Sequence, residues 1–258
     1  MVSKDTLLRR WRRELTSVPA GWDFSALEGR MSEEIPPWDF DAVCRGEIER
    51  SRHLLDMGTG GGERLLTFSA LLPEDTVATE GWPRNVPVAM RNLEPHGIPV
   101  VDWHADREPW VPLPFADGRF DLVLDRHEAY AVPEIARVLS SGGAFLTQQV
   151  GSDDARETAV WFGGPSTRRT DWTVTVGRAG VEAGGLVIER AEEWRGVYRF
   201  TDVAALMRYF SIVLWDLPDG FTVAGHADAL WDLHERSQAG EPIRLTKSRW
   251  MILARRTG

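Results

Sequence analysis

Leu54-Leu55-Asp56-Met57-Gly58-Thr59-Gly60-Gly61-Gly62-Glu63 is the stretch that decides the fold of this chain. An apolar pair runs into an acid and then into closely spaced glycines, and residues 64–72 follow with apolar side chains at helical spacing. This pattern predicts a strand, a tight glycine turn and a helix. Glycine permits sharp turns and a close approach of backbone to ligand, and open α/β sheets bind ligands at the carboxyl ends of their strands. The loop is therefore predicted to be a ligand site.

Two phosphate-binding motifs fit this loop poorly. The dinucleotide motif G-x-G-x-x-G needs a third glycine where this chain has Glu63, whose charge repels a pyrophosphate at a helix N-terminus. The P-loop is excluded more firmly, because no Gly-Lys-Ser/Thr sequence follows the glycines. A strand-to-helix turn that binds nothing is the remaining alternative.

The loop resembles the first motif of the class I S-adenosylmethionine-dependent methyltransferases, in which an acid is followed by alternating glycines. Asp56, Gly58, Gly60 and Gly62 fit this motif position by position, with Thr59 between the first two glycines. The cofactor of that family carries a sulfonium and a cationic amino-acid end but no phosphate, so an acidic glycine loop suits it. The resemblance implies that these five residues bind S-adenosyl-L-methionine.

Later segments extend the resemblance over roughly residues 50–150. Glu80 ends a predicted strand at close to the roughly 20-residue offset at which an acid binds ribose hydroxyls in related folds, although a solvated glutamate is the alternative. The third strand is predicted over residues 98–106. In the family an acid at its end reaches the adenine amino group, so the resemblance assigns Asp106 to adenine, with Ala105 or Arg107 beside the ring. Residues 113–124 and 132–146 resemble the family's fourth strand and its helix, Gly-Gly turn and fifth strand.

Candidate catalytic groups follow the predicted fourth strand. Methyl transfer from a sulfonium needs an aligned acceptor and exclusion of water, and an O–H or N–H acceptor also needs a base. His127 is the predicted base because imidazole titrates near neutral pH, with Arg126 and Glu128 as alternates. Arg126 is also assigned to the cofactor. A helix-capping or packing role for His127 is the alternative.

Three further residues are predicted to line the acceptor pocket. Gln148 and Gln149 end the predicted fifth strand, where their amides can hydrogen-bond an acceptor, and Trp38 lies in a proline-stiffened turn just before the cofactor strand. No metal is predicted, because Asp125 and Glu128 alone are too few acids for a metal site.

The predicted fold class is α/β: a doubly wound, mainly parallel seven-stranded sheet of Rossmann-like methyltransferase type. A helical lid is predicted over residues 1–50 and the S-adenosylmethionine-binding methyltransferase domain over 51–258, with an insertion near the sixth strand. Other predicted elements are helices at 5–16, 41–50, 167–181, 201–213 and 225–238, a strand at 185–194 that resumes at 197–200, and a strand pair within 243–254.

Composition restricts the partners. The net charge of −9 makes nucleic acid an unfavoured partner. The one dense basic run lies within residues 9–13, and its arginines are predicted on the solvated side of a helix whose other face carries Leu8, Trp11 and Leu15. No apolar run reaches the length of a membrane helix, the N-terminus lacks the apolar core of a signal peptide, and a single cysteine fits a cytoplasmic protein. The predicted function is methyl transfer to O, N or C of a small molecule. The alternatives are a cofactor-binding protein of the same fold with a regulatory or non-methyl role, and a methyltransferase acting on RNA or protein.

Overall fold

The computed structural model of this chain describes residues 3–19, 22–104, 111–163 and 172–257. Within these ranges the chain forms nine α-helices and eight strands. The strands are β1 (Met31–Glu33), β2 (His53–Met57), β3 (Asp75–Glu80), β4 (Val100–Asp102), β5 (Phe120–Arg126), β6 (Leu139–Val150), β7 (Leu186–Phe200) and β8 (Ile243–Arg256). The helices are α1 (Lys4–Thr16), α2 (Phe40–Ile48), α3 (Glu63–Leu66), α4 (Val86–Leu93), α5 (Val132–Val138), α6 (Glu157–Phe162), α7 (Val174–Ala183), α8 (Val203–Phe210) and α9 (Ala227–Gln238).

The strands form one mixed sheet in the order β1-β7-β8-β6-β5-β2-β3-β4. The five strands from β6 to β4 are parallel to their neighbours, while β8 runs antiparallel to β6 and β1 antiparallel to β7. The predicted α/β class with a mainly parallel sheet is confirmed. The described sheet has eight strands instead of seven, because the short strand β1 adds to the edge of β7.

The chain divides into two compact units. The first contains Met1–Pro36, Ser152–Asp171 and Arg195–Ser248, and the second contains Pro37–Gly151, Trp172–Trp194 and Arg249–Gly258. Residues 37–50, which the sequence assigned to an N-terminal lid, fall within the second unit. The lid itself stays a prediction.

The second unit buries both faces of its part of the sheet. Successive residues of a strand point to opposite faces, so the pair Leu54 and Leu55 supplies one side chain to each. Leu54 lies in an apolar cluster with residues of α2, α3 and α4, whereas Leu55 lies in a second cluster with residues of α5 and α7. Continuous apolar sequence is typical of parallel strands covered by helices on both faces. This arrangement is the doubly wound fold that the sequence predicted.

The first unit has its own apolar core around α8. Every residue of α8 except Arg208 is buried, and Asp202 caps the helix by accepting a hydrogen bond from the N–H of Ala205 at 2.7 Å. From α1, Leu7 and Trp11 are buried in the same cluster, with only 1% of Trp11 exposed.

Within the described ranges no helix is long and apolar enough to cross a membrane.

Several predicted boundaries differ from the structure. Helix α3 ends at Leu66, and the apolar residues up to Leu72 continue as turns. Helix α7 begins at Val174 and is capped by the Thr173 hydroxyl, whereas its predicted start at 167–171 lies outside the described residues. Strand β7 runs without the predicted break, and β8 is one continuous strand instead of a strand pair. Long antiparallel strands depend on partners far away in sequence, which a local pattern does not contain.

Candidate functional site

The central strands place two loops side by side. Strand β2 lies between β3 and β5 and is parallel to both, so that Leu55 pairs with Val77 on one side and Val123 on the other. The chain runs outward from β2 to β3 and β4 and then returns to the opposite side of β2 as β5. Such a reversal of strand order opens a crevice at the carboxyl ends of the strands, where ligands bind in open α/β sheets. The loops after β2 and β5 therefore border the candidate site.

The loop after β2 requires its glycines. Gly58, Gly60 and Gly62 have φ angles of 62°, 66° and 83°, in the left-handed region that residues with a side chain rarely adopt. The N–H of Thr59 donates to the Thr79 carbonyl at 2.9 Å and ties the loop to the end of β3. A Cβ atom added to Gly58 lies 2.5 Å from the Cβ of Glu128, so the backbone here faces the loop after β5 directly.

Glu80 holds the glycine loop. Its carboxylate accepts hydrogen bonds from the N–H of Gly60 at 2.7 Å, of Gly81 at 2.9 Å and of Trp82 at 2.7 Å, with only 4% of the residue exposed. Burial raises the pKa of Glu80, and these donors oppose the rise. A carboxylate offers about four acceptor positions, and the side chain of Asn85 also hydrogen-bonds this carboxylate, so a ribose hydroxyl has to share or displace one of these donors. The sequence predicted the ribose contact but not this role in ordering the loop.

Three more carboxyl groups lie around the loop. Burial is the main cause that raises the pKa of Asp56 to about 6, and the nearby Thr59 hydroxyl and Arg64 guanidinium oppose it. Asp125 is fully buried, and burial together with the charge of Glu128 raises its pKa well above the ordinary value. Its Oδ1 accepts from the N–H of Glu128 at 3.2 Å, while its buried Oδ2 has no hydrogen-bond partner among the described residues. Asp125 was not among the predicted site residues, because only the tertiary fold brings it beside Asp56.

His127 has a strained backbone. Its φ of 69° is left-handed, and only one other described residue besides glycine shares this feature. For a residue with a side chain this conformation costs about 1–2 kcal/mol. The N–H of His127 donates to the Gln148 carbonyl at 2.9 Å, which holds the turn against β6, and the side chain is exposed. Strain of this kind clusters at functional sites, but the role of His127 as a base stays a prediction.

The three predicted acceptor-pocket residues are buried, and they lie on two faces of the sheet. Trp38 donates from Nε1 to Oε1 of Gln148 at 2.9 Å, which joins two of them directly. Gln149 points to the other face of the sheet, where its Nε2 donates to Asp125 Oδ1 at 3.1 Å and to the Glu128 carbonyl at 2.9 Å. Both amides therefore help to hold the edge of the sheet. Contact of any of the three with an acceptor stays a prediction.

The remaining predicted residues have different outcomes. Arg126 is the last residue of β5 and is exposed, beside the glycine loop. Ala105 and Asp106 lie outside the described residues, so their assignment to adenine stays a prediction. In the described part of the chain, no group of three or more His, Cys, Asp or Glu side chains is arranged to hold a metal ion.

Comparison with known proteins agrees with this geometry. Residues 55–147 match the family described as "Methyltransferase domain". A candidate methyltransferase from Bacillus halodurans has the same fold at 18% identity, with a TM-score of 0.59 over 85% of this chain and 99% of that one. The YcgJ protein of Bacillus subtilis aligns with a TM-score of 0.58 at 18% identity, over 85% of this chain and 98% of that one.

A functionally unknown protein from Deinococcus radiodurans aligns over more of the chain. Its TM-score is 0.57 at 18% identity, over 98% of both chains. No protein of curated function matches the sequence. At this level of identity the solved structures establish the fold alone, and the family match covers the glycine loop and the strands around it. Together they confirm the resemblance to class I S-adenosylmethionine-dependent methyltransferases.

Proposed function

We propose that the protein transfers a methyl group from S-adenosyl-L-methionine to a small-molecule acceptor in the crevice between the loops after β2 and β5. The observation that carries the cofactor assignment is the carboxylate environment of the glycine loop. Asp56 and Glu128 lie around it, and Glu80 already accepts the Gly60 N–H. A sulfonium and an ammonium group are attracted to such a loop, whereas a pyrophosphate is repelled by it.

The residues present fit this cofactor. Because Gly58 has no side chain, the carboxylate-bearing side chain of Glu128 packs directly against its backbone. Asp56 and Glu128 offer negative charge to a cationic amino-acid end, and Glu80 is the proposed ribose contact, on the resemblance. Asp106 is the proposed adenine contact, on the resemblance. S-adenosylmethionine supplies an already activated methyl group, so the protein has only to align the acceptor and exclude water.

His127 is the proposed base. A neutral imidazole has one unprotonated ring nitrogen, which accepts a proton from an O–H or N–H acceptor. Its left-handed backbone directs the end of β5 into a turn next to Gly58, because Glu128, the next residue, lies over that glycine. An acceptor methylated at carbon or at a neutral amine needs no such group.

Two properties support a small-molecule acceptor and a cytoplasmic location. The net charge of −9 opposes binding to a nucleic-acid backbone. The single cysteine, Cys44, is buried and free, as is usual in a reducing compartment.

Calorimetric titration tests the cofactor assignment. We expect S-adenosylmethionine and S-adenosylhomocysteine to bind with dissociation constants in the micromolar range, about −7 to −9 kcal/mol. Absence of heat and of a thermal shift with both ligands contradicts the proposal.

A pair of glycine variants separates the site from backbone strain. Gly58→Ala and Gly142→Ala both place a side chain at positive φ, at 62° and 78°, and both should lose roughly 1–2 kcal/mol of stability. An added Cβ at Gly142 meets nothing within 4 Å, whereas at Gly58 it meets Glu128. Only Gly58→Ala should abolish cofactor binding, and equal binding by the two variants contradicts the assignment.

A further inference from the structure

Asp125 of β5 is a buried carboxyl group that has no part in the proposed reaction. Its Oδ1 accepts two hydrogen bonds, from the N–H of Glu128 at 3.2 Å and from Nε2 of Gln149 at 3.1 Å. Its buried Oδ2 has no hydrogen-bond partner among the described residues. This division fits an un-ionised acid, in which one oxygen is a carbonyl acceptor and the other a hydroxyl. A carboxylate would leave a charged oxygen buried without a donor, which is far more costly.

The surroundings of Asp125 also favour the un-ionised acid. The residue is fully buried, so water does not solvate a charge on it. The charges of Glu128 and Asp56, both negative, act on it as well. Burial and these charges raise the pKa of Asp125 well above the ordinary value. The group is therefore neutral while its neighbour Glu128 carries the charge.

Gln149 completes the support of the turn that follows β5. It lies two residues after Thr147, the partner of Asp125 in β6, so its side chain is on the same face of the sheet. Its Nε2 donates to the Glu128 carbonyl at 2.9 Å as well as to Asp125. Its Oε1 accepts from Nε1 of Trp172 at 3.4 Å, which holds the amide in this orientation. The N–H and the carbonyl of Glu128 are thus both bonded to buried side chains of neighbouring strands.

The side chain of Glu128 lies against the glycine loop. A Cβ atom added to Gly58 would be 2.5 Å from the Cβ and 2.8 Å from Oε2 of Glu128. The preceding residue, His127, has a left-handed φ of 69°, which costs free energy for a residue with a side chain. Local backbone preference therefore does not maintain this turn. The bonds from Asp125 and Gln149 help to hold it and so keep the Glu128 carboxylate beside the loop.

We propose that Asp125, as an un-ionised acid, and Gln149 are positioning residues that hold the carboxylate of Glu128 where it receives the ammonium group of the cofactor. This assignment rests on the proposed function, in which Glu128 offers charge to the cationic amino-acid end. Both positioning residues are buried, so they act through Glu128 and not by touching the cofactor. A neutral Asp125 also lets Glu128 stay ionised, because two close carboxyl groups do not readily ionise together.

Two ligands distinguish the positioning of Glu128 from a general loss of structure. S-adenosylhomocysteine carries the ammonium group, whereas methylthioadenosine has the same nucleoside without the amino-acid end. Both are titrated by calorimetry into the unsubstituted protein and its variants. We expect Asp125→Leu and Gln149→Met to weaken S-adenosylhomocysteine about tenfold, and methylthioadenosine by less than about twofold. Asp125→Asn keeps a carbonyl oxygen for both donors, so it should match the unsubstituted protein within about twofold for both ligands.

Thr76→Val is the matched control. Thr76 is buried in the same unit near the amino end of β3, and its hydroxyl donates to the Pro73 carbonyl at 2.7 Å. The substitution removes a buried hydrogen bond at the opposite edge of the sheet and should leave both affinities unchanged. A double substitution gives a second control. Once Glu128→Gln has removed the charge, adding Asp125→Leu should weaken S-adenosylhomocysteine no further.

Hydrogen exchange without any ligand reports on the turn itself. Because the Glu128 amide donates to Asp125, its exchange in NMR spectra should be about tenfold faster in Asp125→Leu, relative to the amides of β5. Asp125→Asn should keep the original rate.

The outcomes decide separate points. Selective weakening of S-adenosylhomocysteine in Asp125→Leu and Gln149→Met, with recovery in Asp125→Asn, supports the proposal. Equal weakening of both ligands overturns it, as does unchanged S-adenosylhomocysteine binding in both variants. A loss in Asp125→Asn as large as in Asp125→Leu overturns the un-ionised acid. If Asp125→Leu does not fold, Gln149→Met and Asp125→Asn still decide these points. If the unsubstituted protein binds neither ligand, the proposed function fails, while the exchange rates still decide whether Asp125 holds the turn.

Discussion

Replacing Glu80 with glutamine separates its two roles. The carboxylate accepts three backbone N–H groups within the second unit, two through Oε1 and one, from Gly60, through Oε2. A glutamine in the same rotamer keeps a carbonyl for Gly81 and Trp82 but turns an NH₂ group toward the Gly60 donor. One charge-assisted bond is then lost inside the protein, and the acceptor for a ribose hydroxyl loses its charge.

The size of the effect follows from these bonds. A hydrogen bond to a charged group contributes about 1.5–3 kcal/mol, so Glu80→Gln should lose about that much stability through the Gly60 bond. Loss of a charged ribose contact should weaken S-adenosylhomocysteine by a further similar amount, about 10- to 150-fold in dissociation constant. Glu74→Gln is the control, because Glu74 is exposed immediately before the amino end of β3 and the substitution removes the same charge.

A ligand analogue distinguishes the ribose contact from an effect on the loop. S-adenosylhomocysteine and its 2′-deoxy and 3′-deoxy analogues are titrated into the unsubstituted protein and Glu80→Gln by calorimetry. If Glu80 accepts a hydroxyl, one analogue already lacks that bond and should be weakened much less by the substitution. Equal weakening of all three ligands refutes the ribose contact and leaves Glu80 as an organiser of the loop. Unchanged affinity for all three refutes both roles.

Four further predictions concern Asp56, His127 and Trp38. Because the pKa of Asp56 is raised to about 6, its carboxylate becomes protonated as pH falls below 6. S-adenosylmethionine should therefore bind about tenfold more weakly at pH 5 than at pH 7.5 in calorimetry. The variant Asp56→Asn should lack this pH dependence. The same raised pKa means that the folded state binds this proton more tightly than the unfolded state. The ionised Asp56 therefore destabilises the protein at pH 7 by up to about 3 kcal/mol, and this destabilisation is relieved as pH falls from 7 toward 4. Denaturant titrations should show it in the unsubstituted protein but not in Asp56→Asn, and parallel pH profiles of the two proteins would contradict it. Because His127 has a φ of 69°, His127→Gly should be about 0.5–1 kcal/mol more stable than His127→Ala in denaturant titrations. Both variants should lower turnover by roughly 10²–10⁴-fold on an acceptor that requires a base. Equal stability of the two variants would show that the turn relaxes. Trp38→Phe removes the donor to Gln148 and should lower the unfolding free energy by about 1–3 kcal/mol, whereas Trp22→Phe, at a position where the side chain is 45% exposed, should change it by less than about 0.5 kcal/mol.

The amino-acid sequence by itself determined the parts of the fold that depend on neighbours along the chain. The apolar runs before Asp56, Glu80 and Arg126 predicted central strands, and the glycines after Met57 predicted the left-handed loop, because these signals reside in adjacent residues. The helices near the start and end of the chain were also predicted within a few residues. Predictions were less accurate for strands whose partners are distant in sequence. Strand β1 was not predicted, and β7 and β8 were each predicted as two shorter strands, because their pairing is decided by strands far away in sequence.

Within the site, the sequence identified residue types and the tertiary structure decided their partners. The motif marked Asp56 and Glu80, but only the folded chain turns Glu80 onto the Gly60 N–H, 20 residues earlier, and buries Asp125 within the reach of Asp56 and Glu128. A local sequence pattern indicates the chemical type of each residue and the secondary structure it favours. Burial, which shifts pKa values and limits the available partners, arises only when segments distant in sequence pack together.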